Sequence, residues 1–130
     1  MVKLGIDKIE LLFYYRVVDG TSSSVLNIAA TLVGTTALGP GYRAVVWVQG
    51  CPIHCAGCIA PDWIPFTPNR LVSPAELVAE LLVDPLVTGL TFSGGEPMAQ
   101  AAGLAQVAHL ARQRRLAPGR HPARLHPHRR

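Results

Sequence analysis

Ala44-Val45-Val46-Trp47-Val48 is a continuous apolar run, β-branched or aromatic at four of its five positions, and it stops at Gln49-Gly50 just before Cys51. An uninterrupted run of this kind, with no polar alternation, suits a strand buried on both faces, as found in parallel sheets. Downstream, a loop carrying Pro61, Pro65 and Pro68 leads into Ser73-Pro74-Ala75-Glu76. Ser73 can cap a helix, Pro74 suits its first turn and Glu76 completes a capping box. The helix places Leu77, Val78 and Leu81 on one apolar face, and Asp84-Pro85 is its expected stop. A second apolar run over residues 86–92 breaks at Ser93-Gly94-Gly95-Glu96-Pro97. A second helix is expected after it, with Ala101, Leu104, Ala108 and Ala111 at a period near 3.6. Strand, helix, strand, helix predicts an α/β fold built on a βαβ unit with parallel strands and a right-handed crossover.

Upstream the pattern is weaker. Gly39-Pro40-Gly41 signals a turn, and residues 25–33 suit either a buried strand or a short helix. Residues 3–18 fit helix or strand, and residues 21–24 resemble a linker. Past the second helix a third strand is due. Residues 116–130 contain no apolar window, and Pro118, Pro122 and Pro127 interrupt them. They predict a disordered basic tail, and their composition suggests a reading-frame change or a truncation. The chain therefore divides into an N-terminal extension (1–24), a core (25–115) and the tail (116–130).

The net charge of +4 belongs to the tail. Residues 112–130 hold seven arginines and no acid, leaving five basic residues against eight acids in the rest, a net −3. The body thus gives no footprint for specific nucleic-acid binding. No apolar run approaches the roughly 18 residues of a membrane span, and no secretory signal is evident. A cytoplasmic location is the expectation.

The three cysteines lie in Cys51-Pro52-Ile53-His54-Cys55-Ala56-Gly57-Cys58, a C-x3-C-x2-C pattern. An odd, clustered set without a secretion signal argues against a disulfide framework. Three thiolates on a cubane cluster leave one iron without a protein ligand, where a small chelating molecule can bind. Softness alone would admit zinc equally, but a structural zinc site wants four protein ligands. There is no fourth cysteine, and His54, adjacent to Cys55, is awkwardly placed to serve.

With Trp47-Val48-Gln49-Gly50-Cys51, Cys55-Ala56-Gly57-Cys58 and then Thr91-Phe92-Ser93-Gly94-Gly95-Glu96-Pro97, the chain resembles the radical-SAM superfamily over about residues 26–115. It looks most like the small activating enzymes of anaerobic ribonucleotide reductase and pyruvate formate-lyase. The resemblance implies a partial (β/α) barrel, of which only the first βα units are present. It implies that Cys51, Cys55 and Cys58 hold a 4Fe–4S cluster and that S-adenosylmethionine chelates the open iron. Ser93, Gly94, Gly95, Glu96 and Pro97 would line its methionyl group, with Glu96 accepting from the ammonium. The implied function is reductive cleavage of S-adenosylmethionine to a 5′-deoxyadenosyl radical that makes a glycyl radical on a partner enzyme, such as an anaerobic ribonucleotide reductase. A flavodoxin or ferredoxin would supply the electron. Gly57, where many relatives carry an aromatic residue, points to the reductase-activator branch. The missing later strands leave open a non-catalytic cluster-binding fragment, or a pseudo-enzyme from a truncated or frameshifted gene.

Overall fold

The computed structural model describes residues 24–116; the expectations for residues 1–23 and 117–130 lie outside the described residues. Four strands, β1 (Leu26–Thr35), β2 (Arg43–Val48), β3 (Arg70–Val72) and β4 (Gly89–Gly94), form one sheet in the order β3-β1-β2-β4. Helix α1 (Pro74–Leu81) joins the central part of the chain to β4, and α2 (Ala101–Leu116) follows it. Single 3-10 turns occur at Pro61–Trp63 and Pro97–Gln100.

The α/β expectation is met, and β2 and β4 pair in parallel with α1 between them in sequence. The sheet is nevertheless mixed, because β1 runs antiparallel to both β2 and β3. Of the two possibilities for residues 25–33, the strand is realised, and it extends to Thr35. β1 carries a register irregularity between Ile28 and Ala30. Such a bulge shifts the side-chain alternation by one residue. Leu26 and Ile28 face the helices before it; Thr31 and Val33, opposite Val46 and Ala44, do so after it.

The core lies between one sheet face and the two helices. Ala44, Val46 and Val48 of β2 meet Leu77, Val78 and Leu81 of α1 and Leu104 and Val107 of α2. The apolar run is buried on both faces, as its composition predicts: Val45, on the face away from the helices, is as inaccessible as Val46. The capping box forms as expected. The Ser73 hydroxyl accepts from the Glu76 N–H at 3.3 Å, and the Glu76 carboxylate accepts from the Ser73 N–H at 3.0 Å. The Ser73 hydroxyl also donates to the Glu76 carboxylate at 2.7 Å, and this bond, with that from the Ser73 N–H, holds the Glu76 carboxyl below its ordinary pKa. On the next turn of α1, Glu80 takes an ion pair from Arg70 and a hydroxyl bond from Thr31, fastening β3 and β1 to the helix.

Several boundaries differ from expectation. α1 ends at Leu81, ahead of Asp84-Pro85, with Leu82 capping it. The second apolar run becomes strand only from Gly89, and Ser93 and Gly94 belong to the strand because Gly94 pairs with Val48. On α2 the buried set is Gly103, Leu104, Gln106, Val107 and Ala111, while Ala101 is exposed. β3 lies hidden in the Pro-rich loop: of its three residues only Val72 is buried, so no apolar signal marks it. Arg43 is half-buried, donating to Thr91 Oγ1 at 2.6 Å and to the carbonyls of Pro40 and Leu90.

Candidate functional site

β2 and β4 are parallel neighbours with Val48 opposite Gly94, so the segments that leave their carboxyl ends emerge on the same edge of the sheet. In parallel α/β sheets this edge is where ligands bind. The cysteine loop leaves β2 there, and the Ser93–Pro97 segment leaves β4 beside it. The fold thus brings together the two sequence motifs, about forty residues apart.

Main-chain bonds lace the two segments. The Gly95 N–H donates to the Val48 carbonyl at 2.9 Å, and the Glu96 N–H donates to the Gly50 carbonyl at 2.9 Å. Both glycines are required by this approach. A Cβ on Gly94, whose φ is +107°, would lie 2.7 Å from the Val48 carbonyl oxygen. One on Gly95 would lie 2.8 Å from the Gly50 carbonyl carbon and 2.9 Å from the Trp63 oxygen. The tightest neighbours of the Gly-Gly pair are therefore the backbone of β2 and of the cysteine loop, a constraint additional to any approach to a ligand.

The cysteine loop is pinned at its base and open beyond it. Gly50 N–H donates to the Trp63 carbonyl at 2.8 Å and Cys51 N–H to the Ile64 carbonyl at 2.9 Å, so the chain returns beside its own start. Trp47 and Trp63 reinforce the return, their ring centroids 6.1 Å apart. Between these anchors, residues 52–57 are exposed. His54 takes a left-handed conformation, φ +52°, as does Gly57 at +69°, and the Cys58 N–H closes a turn on the Cys55 carbonyl at 3.3 Å. All three thiols are free: Cys51 is buried, Cys58 half-buried and Cys55 exposed.

Among the described residues, no three His, Cys, Asp or Glu side chains are gathered as a ready metal site. The thiols share one loop without being drawn together on a point. The donor set nonetheless fits an iron–sulfur cluster: it is all sulfur, three in number, and carried on a loop whose outer part packs on little. A Cβ at Gly57 would meet nothing within 4 Å.

Ser93 is exposed, and Gly94, Gly95, Glu96 and Pro97 are half-buried. Glu96 has a local task as well: one carboxylate oxygen accepts from the Met98 N–H at 2.9 Å, capping the 3-10 turn. Its other oxygen has no such duty in that cap, leaving acceptor capacity for a ligand.

Sequence reasoning missed four amide side chains beneath the site. Gln49, only 4% exposed, donates through Nε2 to the carbonyls of Asp62 at 3.0 Å and Pro65 at 2.8 Å. Its Oε1 accepts from Asn69 Nδ2 at 3.2 Å. Asn27 Nδ2 donates to the Thr67 carbonyl at 3.0 Å while its Oδ1 accepts from the Asn69 N–H at 2.9 Å. Gln100 bonds the main chain of Asn27 and the Gln49 carbonyl. The one sequence signal was Gln49 itself, a polar residue ending an apolar run, which must find partners if buried.

A family model described as "4Fe-4S single cluster domain" matches residues 37–119, more than half of the chain. The pyruvate formate-lyase-activating enzymes of Staphylococcus aureus strains USA300, COL and N315 are each 41% identical to it over 71 residues, covering 50% of this chain. The chain spans only 28% of the length of those relatives. Among the described residues, no helix is long and apolar enough to cross a membrane. The cysteine spacing, the laced glycine segment and these matches agree: the chain belongs to the 4Fe–4S single-cluster family, of the radical-SAM activating type.

Proposed function

We propose that Cys51, Cys55 and Cys58 hold a 4Fe–4S cluster, and that Ser93, Gly94, Gly95, Glu96 and Pro97 receive the methionyl end of S-adenosylmethionine next to it. The observation that carries this reading is the pairing of Glu96 N–H with the Gly50 carbonyl, which sets the glycine segment against the residue before Cys51. A ligand held at an open iron would meet that segment without further rearrangement of the sheet. Glu96 supplies an acceptor for an ammonium. Cys51, at the pinned base of the loop, orients the donor set, while Cys55 and Cys58 close it. With cluster and S-adenosylmethionine bound, one-electron reduction of the sulfonium would yield methionine and a 5′-deoxyadenosyl radical, the chemistry being the cofactor's.

The partner in this reading is a glycyl-radical enzyme. The S. aureus relatives, by name, activate pyruvate formate-lyase, whereas Gly57 favours an anaerobic ribonucleotide reductase. A flavodoxin or ferredoxin would be the electron donor, in the cytoplasm. The division into core 25–115 and flanking segments is part of the same proposal. A partial (β/α) barrel would continue from the outer side of β4, which has no neighbour among the described residues. A mainly apolar cavity of about 450 Å³ beside it, lined by Leu90, Phe92, Ala108 and Ala111 and also by Arg112 and Arg115, supports that continuation.

A second reading is cluster binding without turnover, for which the three free thiols would suffice. Anaerobic reconstitution with iron and sulfide, followed by electron paramagnetic resonance with and without S-adenosylmethionine, tests both. The first expects about one cluster per chain, a spectrum changed by S-adenosylmethionine, and methionine released under reductant. A changed spectrum without methionine selects the second. Stoichiometric zinc with no cluster defeats both.

A further inference from the structure

Gln100 lies one turn beyond Glu96, and its side-chain amide bonds not to the cysteines or the glycine pair but to the elements that carry them. Its Oε1 accepts from the Asn27 N–H at 2.8 Å. Its Nε2 donates to the Asn27 carbonyl at 2.9 Å and to the Gln49 carbonyl at 3.1 Å. A side-chain amide that both accepts from and donates to one residue's main chain reproduces what a neighbouring strand would do. At this point β1 and β2 have run out of regular pairing: the Gln49 N–H bonds to the Asn27 carbonyl beyond the last register pair, next to the bulge at Ile28. Gln100 completes the ladder there and ties the 3-10 turn Pro97–Gln100 to both strands.

Gln49 continues the chain of contacts in the other direction. Its buried amide spans to Asp62 and Pro65, the returning limb of the cysteine loop. The path from the segment after Glu96 to the limb after Cys58 is therefore Gln100, the Gln49 main chain, and the Gln49 side chain.

We infer that Gln100 and Gln49 form a strut that fixes the spacing between the cysteine loop and the Ser93–Pro97 segment, and so are positioning residues for a ligand that must touch both. Identifying that ligand as S-adenosylmethionine rests on the function proposed above. Residues that orient ligating groups without touching the bound species typically matter by 10–100-fold in affinity.

The experiment compares wild type with Gln100→Met and Gln49→Met, which keep side-chain length and remove the bonds. Val107→Ala, a core truncation in α2, serves as a control that lowers stability without touching the strut. In reconstituted protein, Gln100→Met is expected to retain its iron while raising the S-adenosylmethionine concentration for half-maximal spectral change about tenfold or more. Val107→Ala should leave that concentration unchanged. In the same variant without cluster, hydrogen exchange at the Gly95 and Glu96 amides should rise about tenfold or more, with α1 unaltered. An unchanged titration, or a shift no larger than that of Val107→Ala, overturns the strut. If wild type shows no response to S-adenosylmethionine, the functional reading fails, and the exchange measurement alone decides the strut: equal rates in wild type and Gln100→Met overturn it. Should Gln49→Met fail to fold, Gln100→Met carries both readouts.

Discussion

The amide N–H of Glu96 meets the carbonyl oxygen of Gly50 at 2.9 Å. Gly50 immediately precedes the first cysteine, and Glu96 ends the glycine pair, so one main-chain bond holds the two chemical segments in register. The approach is possible only because Gly95, between Glu96 and Gly94, has no side chain.

Replacing Gly95 with alanine should therefore be costly. The new Cβ would press on backbone atoms of Gly50 and Trp63, neither of which can rotate away. A loss of about 3 kcal/mol or more is expected, at the upper end of single-site effects. Gly57→Ala is the informative contrast. Its Cβ has open space, so the cost is only that of a left-handed φ, about 1–2 kcal/mol. Thermal or urea unfolding of the two variants tests the order; Gly57→Ala proving the worse would contradict the lacing.

The thiols differ in exposure, and their alkylation should follow. In protein without cluster, Cys55 should react first with iodoacetamide, then Cys58, and Cys51 last, following their exposure to the reagent. Peptide mass mapping over time reads the order. Cluster loading should protect all three, and replacing any one with alanine should remove most of the iron, since two thiolates hold a cubane poorly. Rapid labelling of Cys51 ahead of Cys55 would mean that the pinned base of the loop opens readily.

Glu96 carries a cap and, in the proposed function, a charge. Glu96→Gln keeps an oxygen that can accept from the Met98 N–H, while Glu96→Ala removes both functions. Loss of the cap alone is expected to cost about 1 kcal/mol. Both variants should weaken the spectral response to S-adenosylmethionine, and only Glu96→Ala should also lower the unfolding midpoint. If Glu96→Gln responds like wild type, the carboxylate charge has no part in binding.

Acid should destabilise the described core through α1. The bond from Arg70 holds the Glu80 carboxyl below its ordinary value, aided by Thr31, and Ser73 does the same to Glu76. A carboxylate whose pKa is lower folded than unfolded adds stability above its unfolded value, about 4.3, and loses it as pH falls through the folded value. The unfolding midpoint should thus fall with pH below about 4.3, and Glu80→Gln should flatten part of that dependence. An identical pH slope in wild type and Glu80→Gln would remove Glu80 from the account. Arg70 and Glu80 are partly exposed, so added salt should weaken the contribution.

Much of the fold was legible because local signals coincided with tertiary ones. The capping box at Ser73 and Glu76 forms from residues three apart, so short-range chemistry suffices to set the start of α1. The apolar run 44–48 has no polar face to leave outside, which requires a strand covered on both sides. Three clustered thiols followed by Gly-Gly-Glu-Pro carry the family resemblance, because both motifs are short and local in the sequence. β3 was not legible, because three residues with one buried side chain carry no period, and its pairing with β1 is set by partners 42–46 residues away.

The amino-acid sequence by itself determined the α/β class, the capped helix and the family. Only the tertiary structure decided that β1 runs antiparallel into a mixed sheet, that Gly94 and Gly95 are needed first by the neighbouring backbone, and that Gln49 and Gln100 join the two loops. The physical reason is range. Caps and apolar runs act between residues a few positions apart, whereas a buried amide takes whichever partners the fold brings within about 3 Å, and those partners, such as Asn27 for Gln100, are 73 residues away.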